Sequence, residues 1–98
     1  MIQISGIRDF KDDEKEVINK ITTEYKDKFT KLLNNPGTVT IYFKKEKKQG
    51  DKAKYSIKLR VDNPKLEASS LDWELSDALH KVLKKVESEI RHRFRDNE

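Results

Sequence analysis

Two stretches in which apolar and polar residues change places at every step constrain this chain more than any other feature. They are Thr38-Val39-Thr40-Ile41-Tyr42-Phe43 and Lys54-Tyr55-Ser56-Ile57-Lys58-Leu59-Arg60-Val61. Successive strand side chains point to opposite faces, so a period of two marks a strand that is buried on one side and solvated on the other. Residues 44–53 between them hold five lysines, the pair Gly50-Asp51 and no apolar residue larger than alanine, which predicts a solvated turn region. Residues 38–61 therefore read as a β-hairpin with a lysine-rich tip. Val39, Ile41 and Phe43 face the core with Tyr55, Ile57, Leu59 and Val61, and Thr40, Tyr42, Lys44, Lys54, Ser56, Lys58 and Arg60 face away from it.

A hairpin with one apolar face needs something to cover that face, and the flanking sequence supplies two amphipathic helices. Ile18, Ile21, Tyr25, Phe29, Leu32 and Leu33 recur at intervals of three and four, as do Leu75, Ala78, Leu79, Val82, Val86, Ile90 and Phe94. Asp12 or Asp13 is positioned to cap the first helix, with Asp13 and Glu16 at capping-box spacing, and Asn34-Asn35-Pro36-Gly37 stops it. Ser70 or Asp72 is positioned to cap the second, and Trp73 is expected to pack in the core or against that cap. Ile2-Gln3-Ile4-Ser5, ending at Gly6, reads as a short first strand. Asp62-Asn63-Pro64 reads as a turn before a last short strand at residues 65–69, and the proline favours an edge position for that strand.

The order is β-α-β-β-β-α. It predicts an α+β two-layer sandwich, a mainly antiparallel four-stranded sheet with two helices on one face. The 98 residues form a single domain, residues 1–98, with no linker, repeat or low-complexity tract. No apolar run approaches the roughly 20 residues that a spanning helix requires, so no membrane partner is expected. The start, Met1-Ile2-Gln3-Ile4-Ser5-Gly6, lacks the basic and apolar regions of a signal peptide, and a cytoplasmic location is the expectation.

Catalytic chemistry has little to work with in this sequence. Cysteine is absent, which removes thiolate nucleophiles, thiolate metal sites and disulfides. His80 and His92 stand about 120° apart around the second helix. Ser76, Asp77 and His80 share one turn but lack a pocket and an oxyanion donor. The three glycines form no phosphate-cradling loop. The expectation is a non-enzymatic protein with no cofactor and no metal.

What remains is charge, and it is unevenly placed. Residues 1–37 balance, residues 38–65 carry nine basic against three acidic residues, and residues 66–98 carry six against eight. The surplus behind the net charge of +4 thus sits on the hairpin and its exit, as expected of a surface that meets a polyanion. The candidate nucleic-acid-binding residues are Lys44, Lys45, Lys47, Lys48, Lys52, Lys54, Lys58 and Arg60, with Tyr42 placed on the same face to stack on a base. Lys81, Lys84 and Arg91, with Ser88 and Arg95, form a second stripe on the last helix, opposite its apolar side. The competing reading is that lysines at a hairpin edge serve only to resist aggregation.

The element order, Gly6 after the first strand, Leu33-Asn34-Asn35-Pro36 before the second, and Leu66-Glu67-Ala68-Ser69 before the last helix together resemble the ribosome hibernation-promoting factor family, the short ribosome-associated inhibitors of translation. Lys81 and Lys84 match positions that are basic in that family's closing helix. The chain departs from the family at Ser69-Ser70-Leu71-Asp72-Trp73, where His-Glu-Asp followed by an apolar and an aromatic residue is usual, and its hairpin tip is longer and more basic. The order of elements also resembles double-stranded-RNA-binding domains, but the last helix lacks their initial lysine run. The first resemblance implies docking on rRNA of the small ribosomal subunit and inhibition of translation. Two alternatives stay open: a protein that coats DNA without reading its sequence, and a protein-interaction or dimerisation module whose lysines confer only solubility.

Overall fold

The computed structural model describes residues 2–32, 38–50, 52–62 and 65–96, with the side chains of residues 47, 48 and 93–96 excepted. The elements run β1 (Ile2–Ser5), α1 (Asp12–Leu32), β2 (Val39–Gln49), β3 (Lys52–Val61), β4 (Leu66–Asp72) and α2 (Leu75–Asp96). The expected order and the α+β architecture are borne out. The four strands form one sheet in the order β1-β2-β3-β4, so β1 and β4 are its edges. Crossing back through α1 makes β1 parallel to β2, with Ile2 beside Val39 and Ser5 beside Tyr42, while the other pairings are antiparallel.

The alternation in the sequence sets the register. Val39 pairs with Val61, Ile41 with Leu59 and Phe43 with Ile57, and all six side chains are buried. α2 packs across β3 and β4, α1 packs beside α2, and Ile18, Ile21, Tyr25, Phe29, Leu79, Leu83, Val86 and Ile90 complete a single core with the sheet. Thr22 is the one buried polar side chain among the described residues, and its hydroxyl donates to the Ile18 carbonyl at 2.7 Å. No described element packs on the opposite face of the sheet.

Four sequence expectations change. The lysine-rich residues 44–49, 52 and 53 are not loop, since β2 continues to Gln49 and β3 starts at Lys52, with a register shift between Lys45 and Lys47. Ladder pairing satisfies the backbone there, so a ribbon that adds nothing to the buried core still forms. The capping box of α1 falls two residues earlier than expected, because Glu14, not Glu16, reaches back to accept the Lys11 N–H at 2.7 Å. β4 extends to Asp72 rather than ending at Ser69. Trp73 lies between β4 and α2, 39% exposed, so of the two positions expected for it the core is excluded and the entry to α2 remains.

Asp72 does sit at the start of α2, where its Oδ1 accepts the Glu74 N–H at 3.1 Å. The expectations for Leu33, Asn34-Asn35-Pro36-Gly37, Asp51, Asn63-Pro64, Phe94 and Arg95 fall outside the described residues or side chains.

Gly6 closes β1 for a steric reason. Its φ is +85°, and a Cβ there would stand 2.2 Å from the Phe43 carbonyl oxygen. Only a residue without a side chain lets the chain leave the sheet at that point. The next turn brings in Phe10, buried edge-on against Phe43 and Tyr55 with ring centroids 6.0 and 5.9 Å apart.

Candidate nucleic-acid interface

The uncovered sheet face is built from rows of cross-strand neighbours. Thr40, Arg60 and Glu67 form one row, Tyr42, Lys58 and Ser69 the next, and Lys44, Ser56 and Leu71 a third. Arg60 and Glu67 bind each other along their row, Nη2 to Oε1 at 2.8 Å, which holds the Arg60 guanidinium above its usual range and the Glu67 carboxyl below its own. Tyr42 (43% exposed) and Leu71 (52%) are the large apolar side chains of this face. Beyond the bulge Lys47 pairs with Lys54, Lys48 with Ala53 and Gln49 with Lys52, so lysines continue out along the projecting ribbon. The side chains of Lys47 and Lys48 lie outside those described.

Lys45 is not on this face. The alternation that puts Lys44 outward turns Lys45 toward the helices, opposite Tyr55, where its Nζ lies 2.9 Å from Glu14 Oε1 and 4.8 Å from the Phe10 ring centre. Only 16% of the Lys45 side chain and 12% of the Glu14 side chain are exposed. Tyr55 donates its hydroxyl to the other Glu14 oxygen. Burial pushes the Glu14 carboxyl up, but hydrogen bonds from Tyr55, the Lys11 N–H and Lys45, together with the Lys45 charge, outweigh it and hold the carboxyl below its ordinary value. Lys45 is thereby committed to the interior of the protein.

The stripe on α2 divides similarly. Lys81 binds Asp72 at 2.5 Å, and Arg91 Nε lies 3.3 Å from Glu87 one turn away. Lys84 forms no ion pair with another described residue, and neither do Lys44, Lys52, Lys58 or Lys65. Lys54 lies over the Trp73 ring, 5.7 Å from its centre.

Lys85 and Lys65 were not among the sequence candidates, yet they join the parts. Lys85 donates to the Ser69 carbonyl at 3.0 Å and lines two adjoining hollows. One is a groove of about 940 Å³ between α2 and β4, bordered by Lys65, Lys81 and Lys84. The other reaches around β4 to Lys54 and Ser56 on the hairpin. Lys54 of the hairpin is therefore joined around the β4 edge, through Lys85, to Lys81 and Lys84 of the helix. A helical projection was the signal available for it, since Lys85 falls only about 40° from Lys81 around the helix.

The class is thus a two-layer α+β domain with a bare sheet face and a basic band wrapped around one edge. No family model matches the sequence, and no curated protein sequence does. Solved structures do share its fold. The N-terminal domain of Protein Y from Thermus thermophilus superposes with a TM-score of 0.58 over 93% of each chain, at 12% sequence identity. A ribosomal subunit interface protein from Coxiella burnetii superposes with a TM-score of 0.57 over 96% of this chain and 97% of that one, also at 12% identity. The resemblance to ribosome-associated factors read from the order of elements holds at the level of fold.

Proposed function

We propose that this chain is a non-enzymatic, cytoplasmic RNA-binding protein that associates with the ribosome, binds rRNA of the small subunit and inhibits translation in the manner of a hibernation factor. The observation that carries the reading is the run of basic residues around the β4 edge, Lys54, Lys85, Lys84 and Lys65, beside Lys44 and Lys58 on the bare sheet face, with Lys44, Lys58, Lys65 and Lys84 free of ion pairs to other described residues. Free ammonium groups are what phosphate neutralisation requires, because a lysine already held by a carboxylate gains little from a second anion. The fold shared with a ribosomal subunit interface protein supports the choice of partner. Among the described residues no three metal-ligating side chains converge, and no helix is long and apolar enough to cross a membrane.

In this reading the protein binds by charge and shape. Tyr42, beside Lys58 on the bare face, offers a ring on which an unpaired base can stack while the lysine meets its phosphate.

The test is binding to isolated small ribosomal subunits, in competition with duplex DNA, by wild type and by a variant with Lys44, Lys54, Lys58 and Lys84 changed to glutamine. With about four phosphate contacts, wild-type affinity falls on the order of a hundredfold between roughly 50 and 200 mM salt, and the variant loses most of that dependence. Unchanged affinity in the variant sinks the reading, and preference for duplex DNA over subunits replaces it with the DNA-coating alternative. Sedimentation of the protein with ribosomal particles in a cell-lysate gradient checks the association directly.

A further inference from the structure

β4 is an edge strand whose outer side is not covered by another strand. In an antiparallel ladder, alternate residues turn both backbone groups toward the partner and the residues between them turn both away. Lys85 identifies which set is outward, because its ammonium reaches the Ser69 carbonyl from outside the sheet. Glu67 and Leu71 share the phase of Ser69, so β4 presents three outward N–H and C=O pairs, at Glu67, Ser69 and Leu71. Beside this edge α2 runs as the second wall of the groove of about 940 Å³. A strand edge with a parallel helical wall is the geometry in which an added strand gains ladder bonds from the edge and side-chain contacts from the groove.

We infer that the β4 edge and its groove take an extended acidic segment of polypeptide, which adds to the sheet as a fifth strand. Charge selects the occupant. Lys65, Lys81, Lys84 and Lys85 border the groove against Glu67 and Glu89, and Glu67 is held by Arg60 while Lys81 is held by Asp72. Lys65 and Lys84 are left to meet carboxylates. A second copy of this chain would bring the same lysine row against itself, which opposes self-pairing. Phosphates offer acceptors alone and leave the outward carbonyls unmet, whereas a polypeptide backbone brings donors and acceptors in alternation. Lys85 guards the Ser69 carbonyl in the free protein and, once a strand arrives, moves to one of its carboxylates.

The test uses a fluorescein-labelled peptide of alternating glutamate and valine, the same peptide N-methylated at alternate residues, and a single-stranded RNA of equal charge. With the unmodified peptide, amide hydrogen exchange at Glu67, Ser69 and Leu71 slows by roughly tenfold or more, while the methylated peptide binds roughly tenfold more weakly. Lys84→Gln with Lys85→Gln weakens the peptide similarly. Ser69→Pro removes one outward donor at a position where an edge strand tolerates proline, and it lowers peptide affinity. Should that variant not fold, the methylated peptide on wild type carries the same comparison. Equal binding of the two peptides overturns the inference. So does protection of the three amides by RNA but not by peptide, which would leave the groove to nucleic acid, or protection that rises with protein concentration alone, which would assign the edge to a second copy. Loss of RNA binding by itself bears only on the function proposed above.

Discussion

Lys45 Nζ stands 2.9 Å from Glu14 Oε1, an ion pair that ties the middle of the hairpin to the first turn of α1. Tyr55, directly across the ladder from Lys45, donates to the same carboxylate, and Phe10 lies beneath the ammonium. Residues from two distant stretches of the chain, Phe10 and Glu14 from one and Lys45 and Tyr55 from the other, thus form one small polar and aromatic cluster. It lies where the core ends and the exposed ribbon begins.

Removing one member of that cluster leaves the other partly buried and short of partners. Glu14→Ala is expected to destabilise the fold by about 2 kcal/mol, the range for a hydrogen-bonded charge that is neither fully buried nor fully solvated. Urea unfolding followed by far-ultraviolet circular dichroism measures it. A cost near zero would mean that the pair is ornamental.

The same carboxyl gives a pH dependence with a definite sign. Its value in the folded protein lies below the ordinary 4.5, so its contribution is present above pH 4.5 and drains away as the pH falls through the folded value. At the alkaline end, burial and the bond to Glu14 push the Tyr55 phenol up from 10.0, so the stability it lends is present below pH 10 and declines as the pH rises through its folded value. Glu14→Gln is expected to narrow the stability difference from wild type progressively below pH 4.5. A constant offset between the two proteins across that range contradicts the assignment.

Lys45 and Lys58 are expected to fail in different assays. Lys58→Gln lowers the salt slope of RNA binding by about 0.7 to 0.9 with little effect on stability, because its ammonium is solvated. Lys45→Gln costs about 1–3 kcal/mol of stability and leaves the salt slope alone. Equilibrium binding at several salt concentrations, paired with denaturation curves, separates them.

Gly6→Ala places a Cβ against the Phe43 carbonyl oxygen at a positive φ, and both effects oppose it. The expected loss is about 3 kcal/mol, comparable to the ~2–5 kcal/mol for Leu59→Ala at the centre of the sheet. Thermal melting of the two variants side by side makes the comparison.

Much of the fold was legible because the apolar residues keep strict periods. Val39, Ile41 and Phe43 announce a strand, and Ile18, Ile21, Tyr25 and Phe29 a helix, and burial then follows. Phe10 was not legible, being a lone aromatic in a polar segment that no period marks. The ribbon from Lys44 to Lys54 was missed because loop composition and a doubly solvated hairpin look alike until the ladder is seen. The candidate site was legible as charge but not as geometry. Net charge counts Lys45 and Lys58 equally, and only the tertiary fold shows that one is committed to Glu14 and the other is available.

The register shift between Lys45 and Lys47 lies just outside that cluster, at the last point where a side chain has an inner face to respect. From there the ladder runs on for roughly 10 Å without adding a described residue to the buried core. The outer ribbon is therefore an exchangeable part: its length and charge can be rewritten during evolution, or by design, while the domain that carries it keeps its core unchanged. A family of such proteins can vary its reach without inventing a new fold.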